Sequence, residues 1–361
     1  MNPLLSIVMP VFNGTEELKT MIDSVLDNSY QDWELLAVDD GSNDETKNVL
    51  KTYAARDRRI RFIERNREPK GAQTCRNIGL EIAQGEYIVF FDSDDFITPY
   101  CLEQRIKELN NHPGLDFMVF PSGTYYDNAF HQEPNKYNYG YQVYKDDIEA
   151  FCARTPPFIV WNNIYRCTSL QKYNISWDIN LLSLQDSQFN LDCILSGMRY
   201  AYSALPPDYG YRTASTGSVS KQILSSAHYE SNLYATKRFY TLIQDRYGHR
   251  YDHALYRGAM FLYIKVSRTG FHKDYNYSLA NLVRSFSASW GTLILWQIRL
   301  THFFLKIMPL TPARRLPVLN FLLWYRRIEQ KVVTQQNKTP ISESHIYTNK
   351  KKTTPKGAIY P

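Results

Sequence analysis

The sequence predicts an α/β fold: a mostly parallel sheet flanked by helices, followed by a C-terminal helical extension. Three observations predict it. Over the first 120 residues, short apolar, β-branched runs alternate with segments of helical periodicity. Residues 226–290 then carry helical spacing without strong punctuation. Charge divides the chain in the same way. Residues 1–210 hold 19 Lys and Arg against 30 Asp and Glu, a net of −11, whereas residues 211–361 hold 23 against 6, a net of +17.

The elements follow in order. Residues 4–11 are an apolar strand, and the polar turn Asn13-Gly14-Thr15 predicts the cap of a helix over 16–26. A strand at 33–38, a helix at 44–55, a short strand at 60–63 and a helix at 72–83 continue the rhythm. Residues 87–91 form a wholly apolar strand, 100–109 a helix, and 116–120 a closing strand. The Tyr-, Asn-, Pro- and Gly-rich stretch 123–140 reads as a long surface segment or irregular strands. Helices are expected at 146–151 and 184–195, with breaks at Pro156-Pro157 and Pro206-Pro207. This gives a division into 1–120, 121–225 (the second half of the same domain), a helical extension over 226–331, and a polar tail at 332–361 that reads as disordered.

Composition excludes several classes. With 43% hydrophobic and 22% charged residues the chain is not disordered throughout. Five scattered cysteines without a Cys-x-x-Cys pair argue against a disulfide framework and a zinc site, and suit a reducing cytosol. The N-terminus lacks the basic and apolar regions of a secretory signal. The charge-free stretch 285–298 has 14 residues, short of the roughly 18 a spanning helix needs.

In a parallel sheet with short crossovers, the C-terminal ends of the strands share one edge, where ligands bind. Asp39-Asp40 and Asp92-Ser93-Asp94-Asp95 both follow strands directly, so the two clusters should be neighbours. Three acids within four residues repel one another unless a cation joins them; a hard divalent ion bridging to phosphate oxygens is the natural partner. For Asp39-Asp40-Gly41-Ser42, a turn-forming role is equally open.

Four motifs in this order resemble the family 2 glycosyltransferases. They are Ser6-Ile7-Val8-Met9-Pro10-Val11-Phe12-Asn13, then Val38-Asp39-Asp40-Gly41-Ser42, then Arg76-Asn77-Ile78-Gly79-Leu80, and Gly85-Glu86-Tyr87-Ile88-Val89-Phe90-Phe91-Asp92-Ser93-Asp94-Asp95. The resemblance implies the GT-A nucleotide-sugar transferase fold, inverting transfer, and a donor that is usually UDP-linked and metal-bound. It implies donor binding by Pro10, Phe12, Asn13, Asp39, Arg76, Asp92, Ser93 and Asp94. Pro10, Phe12 and Asn13 would wall the nucleobase, with Phe12 where the family usually has Tyr. Asp39 would accept from the base, Arg76 would lie near the phosphates, and Asp92 near the ribose. Asp94 would hold the metal, Mn2+ or Mg2+, and Asp95 would face the acceptor.

Transfer to a hydroxyl needs a carboxylate to take its proton. The resemblance places it at the start of a helix in the second half, in a Glu-Asp pair. Here the stretch is Leu184-Gln185-Asp186-Ser187, so Asp186 is the expected base and Gln185 stands where the first acid usually does. Upstream, Val160-Trp161-Asn162-Asn163-Ile164-Tyr165 resembles a family segment in which Asn163 replaces a usual Lys. Trp161 is expected to pack under an acceptor sugar, or to be core. Arg212, in Tyr209-Gly210-Tyr211-Arg212, is a further phosphate candidate, or a solvated charge.

Residues 293–308 wind into a helix whose polar stripe is Arg299, His302 and Lys306. From 299 to 331 there are seven Lys and Arg and one acid. Interleaved basic and apolar residues predict attachment of 290–331 to an anionic membrane surface, with Trp296 and Trp324 at headgroup level. A docked helical bundle or a dimer interface stands against that. No recognition motif for nucleic acid accompanies the charge. The expectation is an inverting transferase acting from a nucleotide sugar on a glycan or lipid-linked acceptor of surface polysaccharide. It would be cytoplasmic and peripheral on the inner face of the cell membrane. The alternative is a catalytically silent nucleotide-sugar-binding scaffold at the membrane.

Overall fold

Residues 5–11, buried along their whole length, form the strand on which the molecule is built. A computed structural model describes residues 4–133, 138–213, 225–269 and 273–307. The first half runs β1 (Leu5–Val11), α1 (Thr15–Leu26), β2 (Trp33–Asp39), α2 (Asp44–Arg56), β3 (Ile60–Glu64) and α3 (Ala72–Ile82). It continues with β4 (Tyr87–Phe90), β5 (Phe96–Ile97), α4 (Cys101–Asn110), β6 (Phe117–Val119), β7 (Ser122–Tyr126) and β8 (Ala129–His131). Then come α5 (Asp147–Cys152), β9 (Asn163–Arg166), α6 (Cys167–Lys172), α7 (Gln185–Ser196), β10 (Tyr200–Tyr202) and β11 (Tyr209–Arg212). Four helices follow: α8 (Ser226–Tyr247), α9 (Asp252–Thr269), α10 (Lys273–Phe286) and α11 (Ala288–Ile307).

The central sheet has seven strands in the order β10-β6-β9-β4-β1-β2-β3. Its ladders are parallel except at β9, which runs antiparallel between β4 and β6. The sequence did not predict β9. Its four residues carry no period of their own, and their place is set by pairs such as Ile164 with Met118 and Tyr165 with Ile88. A second sheet, β5-β11-β7-β8, gathers much of the 123–140 stretch. There β7 and β8 form a hairpin whose two turn residues, Asp127 and Asn128, both have positive φ, 51° and 55°, as such a tight turn requires.

The period of two in β1 sorts its side chains between two cores. Leu5, Ile7, Met9 and Val11 face one side, where Leu18, Met21 and Ile22 of α1 and Leu102 and Ile106 of α4 cover them. Val8 faces the other, with Leu36, Ile88 and Phe90, under Phe189 of α7. The helical extension joins this second core through Phe239 and Tyr240 of α8, Leu255 of α9, Val283 of α10 and Ile294 and Ile298 of α11. Helices α8 to α11 therefore share a core with the sheet. The rest of the predicted extension and the tail lie outside the described residues. All five cysteines are free.

Candidate functional site

Register decides whether the acids meet. Val11 pairs with Asp39 and Val8 with Phe90, all parallel, so the ends of β2, β1 and β4 open on one edge. Two strand spacings, about 10 Å, separate the column of Asp39 from that of Asp92. The loops at this edge are tied together. The Asn13 N–H donates to Ser42 Oγ at 2.9 Å, and the Asn43 N–H donates to Asn13 Oδ1 at 2.9 Å. Asn13 thus spends its side chain on the neighbouring loop and not on capping α1, whose N-cap, Gly14, makes no side-chain cap bond.

Asp39 is 1% exposed. It accepts from the backbone N–H of Ser42 at 3.1 Å and of Gly41 at 3.2 Å, so it builds the turn at the end of β2. Asp40 Oδ1 accepts from Arg65 Nε at 2.8 Å and from the Gly71 N–H at 2.9 Å. This pins the loop between β3 and α3. That loop carries Lys70, whose ammonium lies 3.8 Å from the centre of the Phe12 ring. Phe12 itself is 52% exposed, whereas Pro10 is buried within β1.

The Arg76–Leu80 motif has a residue-by-residue explanation on α3. Gly79 lies against β1: a Cβ there would stand 2.3 Å from Val8 Cγ1. Asn77 donates to the Trp177 carbonyl at 2.9 Å and accepts from the Trp177 N–H at 2.8 Å. Arg76 is buried, and its guanidinium lies 4.5 Å from the Trp177 ring centre. It donates to Asp92 Oδ1 at 2.7 Å and to Gln185 Oε1 at 3.2 Å, and stands 3.7 Å from Asp186 Oδ1. Burial opposes its charge, but Asp92 and Asp186 more than offset this and hold it above the ordinary arginine value.

The strand-end acids differ from one another. Asp92 is tied to Arg76. Asp94 is partly exposed; burial, then Asp92, pushes its carboxyl up to about 6. Asp95 is 1% exposed, accepting from Tyr209 Oη at 2.6 Å and from the Arg212 N–H at 2.7 Å. Ser93, between them, is part-buried. Among the described residues no three His, Cys, Asp or Glu side chains could by themselves hold a metal ion.

Asp186 opens α7, two residues after Leu184, which adopts a left-handed conformation with φ 63°. Burial pushes its carboxyl up to about 6, Arg76 draws it down, and Asp92 adds to the rise. Its Oδ1 is buried and accepts no hydrogen bond. Gln185 holds its position through both ends of its amide. The oxygen accepts from Arg76, and the nitrogen donates to Gln73 Oε1 at 2.8 Å and to the Leu181 carbonyl at 2.9 Å.

Two expectations about the acceptor are corrected. Trp161 is 2% exposed and stacks on Tyr209, with ring centres 4.6 Å apart, so it is core and no sugar can reach it. Asp95 is buried with both oxygens occupied, so it shapes the loop and does not face an acceptor. Arg76, expected near phosphates, lies instead buried against Asp92 and Asp186. Asn163, which replaces the family's usual Lys, is buried and donates to Tyr165 Oη at 2.6 Å and Asn190 Oδ1 at 3.0 Å. Arg212 donates to the Asp94 carbonyl at 2.6 Å. Gln73, Trp177 and Tyr209 were missed because their partners lie about 100 residues or more away.

Residues 6–173 match the family model Glycosyl transferase family 2. An uncharacterized glycosyltransferase of Haemophilus influenzae is 43% identical over 126 residues, 34% of this chain and 47% of that protein. TuaG of Bacillus subtilis, whose name places it in teichuronic acid biosynthesis, is 42% identical over 107 residues, 29% of this chain and 41% of that one. The chain spans about half the length of the curated relatives it matches. Among solved structures, S. aureus TarS 1–349 in complex with UDP-GlcNAc superposes with a TM-score of 0.63 over 97% of both chains, at 18% identity, a likeness of fold. The matched stretch takes in all four strand-end and helix motifs, and residues 6–173 carry a family 2 glycosyltransferase domain, with the GT-A fold.

Proposed function

We propose that the chain moves a sugar, with inversion, from a UDP-sugar to a hydroxyl of a glycan or lipid-linked acceptor in surface polysaccharide synthesis. The observation that carries this is the Arg76 bridge. One buried cation ties the donor-side acid Asp92 to the second-half acid Asp186, so two carboxylates over ninety residues apart line one cleft. UDP-GlcNAc in TarS and the biosynthetic role in TuaG's name support the donor and the pathway class.

In this reading Phe12 offers an exposed ring to the base, with Lys70 beside it. Asp94, a part-exposed carboxylate beside Asp92, is the residue that would hold a divalent cation, Mn2+ or Mg2+, and the ion would supply neutralisation of charge on the departing diphosphate. Asp186 takes the acceptor's proton; a carboxylate near 6 with an oxygen that accepts no hydrogen bond is ionised and receptive at neutral pH. The Gln185 departure, which left a silent scaffold open, still orients Arg76.

Donor turnover tests this. Asp186→Asn should lose about 10²- to 10⁴-fold in transfer while UDP still raises the melting temperature. Asp94→Ala should lose metal-dependent turnover; transfer at the wild-type rate in that variant overturns the reading.

The same reading makes this a peripheral protein on the inner face of the cell membrane, attached through 290–331. Its support is α11, where Leu293 is 41% and Trp296 59% exposed beside an exposed Arg299.

A further inference from the structure

Burial of Trp161 and Asp95 leaves the acceptor side of the cleft to other residues. One candidate is the loop leading into Asp186. Residues 177–184 are clamped from two helices. From α3, Asn77 bonds both backbone groups of Trp177, and Gln73 Nε2 donates to the Ile179 carbonyl at 3.3 Å. From α8, Ser231 Oγ accepts from the N–H of Leu182 at 2.9 Å and of Ser183 at 3.2 Å. Tyr234 Oη donates to Asp178 Oδ2 at 3.0 Å, and Arg238 donates to Asp178 at 2.6 Å and to Asp192 at 2.8 Å.

A loop fixed at so many points is held in one geometry. Yet its Ile179 is 42% exposed, and Tyr234, which fastens it, is 39% exposed. With its hydroxyl already bonded to Asp178, Tyr234 has only ring surface left to offer. A pyranose ring has apolar C–H faces that aromatic and aliphatic surfaces cover, while its hydroxyls stay free for polar groups. The loop is also tied to the neighbour of the base. Gln73 holds the Ile179 carbonyl with one amide atom and Gln185, the neighbour of Asp186, with the other.

We propose that Tyr234 and Ile179 form the platform on which the sugar ring of the acceptor lies, so that α8, the first helix of the C-terminal extension, belongs to the acceptor site. This rests on the transferase reading above. It accounts for a loop clamped from two helices that still exposes Ile179, seven residues before the base.

The test uses the full chain, the nucleotide sugar that stabilises it most, and a panel of methyl hexopyranosides as acceptors. Water needs no platform, so donor hydrolysis is the internal control. Tyr234→Ala and Ile179→Ser should raise the acceptor KM about five- to tenfold, with donor hydrolysis within about twofold of wild type. Tyr234→Phe, which keeps the ring, should keep the acceptor KM. An unchanged acceptor KM in Tyr234→Ala overturns the platform. So does a parallel fall in hydrolysis, which would mean that the substitution acts by disturbing Asp186. If wild type neither hydrolyses donor nor transfers sugar, the transferase reading fails by itself. Saturation-transfer NMR with the same glycosides then decides the platform: signal lost in Tyr234→Ala and kept in Tyr234→Phe supports it, and equal signal in all three chains, or none in wild type, overturns it.

Discussion

Arg76 shows how much one side chain carries in this cleft. A buried guanidinium is stable here because Asp92 and Asp186 both lie against it, and Asp186 is in turn easier to ionise because of it. This fixes the sign of a pH effect. Asp186 sits at about 6, with Arg76 pulling its value down against burial. Below that pH it is protonated and accepts no proton, so kcat/KM should fall on the acid side with an apparent pKa near 6. Arg76→Gln removes the cation, which makes Asp186 harder to ionise and moves the acid limb to higher pH. Arg76→Lys keeps the charge but loses the fork that reaches Asp92 and Gln185 together, so its limb should lie between the two. Rate profiles of the three chains check the order; an acid limb unmoved in Arg76→Gln refutes the coupling.

At the scale of elements, α3 turns a short motif into architecture. Gly79 lets the helix lie directly on β1, Asn77 fastens the Trp177 loop and Arg76 reaches the acids. Gly79→Ala drives a methyl into Val8 and should cost about 1–3 kcal/mol, read as a lower urea midpoint at unchanged slope. A second element contact is more severe. Arg105 of α4 and Asp208, just before β11, are both fully buried and joined by two hydrogen bonds of 2.6 and 2.8 Å. Asp208→Ala leaves that guanidinium without its acid and should cost roughly 3–5 kcal/mol in the same measurement. These two contacts also mark how far the sequence could be read. Period-two and helical spacing are local, so β1 to β4 and their helices were legible, and so were the acids at their ends. The antiparallel β9, the β5-β11-β7 pairings of the second sheet and the Arg105–Asp208 pair depend on partners 44 to 114 residues away, for which no local pattern exists. Trp161 illustrates the same limit: an aromatic beside a motif reads alike whether it stacks on a sugar or on Tyr209.

Over the whole molecule, the charge asymmetry acquires a geometry. The acidic half forms the cleft and the basic half begins on the opposite core, through helices that pack beneath α7. Helix α11 buries Ile294 and Ile298 in that core, which is the docked-bundle arrangement, and still leaves Leu293 and Trp296 outside. No described helix is long and apolar enough to cross a membrane. An exposed Trp and Leu beside Arg299, in a sequence with six more Lys and Arg by residue 331, are what the proposed attachment to an anionic interface rests on. The two contributions separate experimentally. Leu293→Ser with Trp296→Ser removes apolar groups worth roughly 1.5–3 kcal/mol each when fully buried, so sedimentation with vesicles containing phosphatidylglycerol should drop by at least about tenfold. Because both side chains already face water, melting temperature should hold. Raising the salt should release wild type as well, since each basic residue near the surface contributes only about 1 kcal/mol of screened attraction. Sedimentation that survives both the double substitution and high salt would show that the exposed face of α11 does not meet lipid.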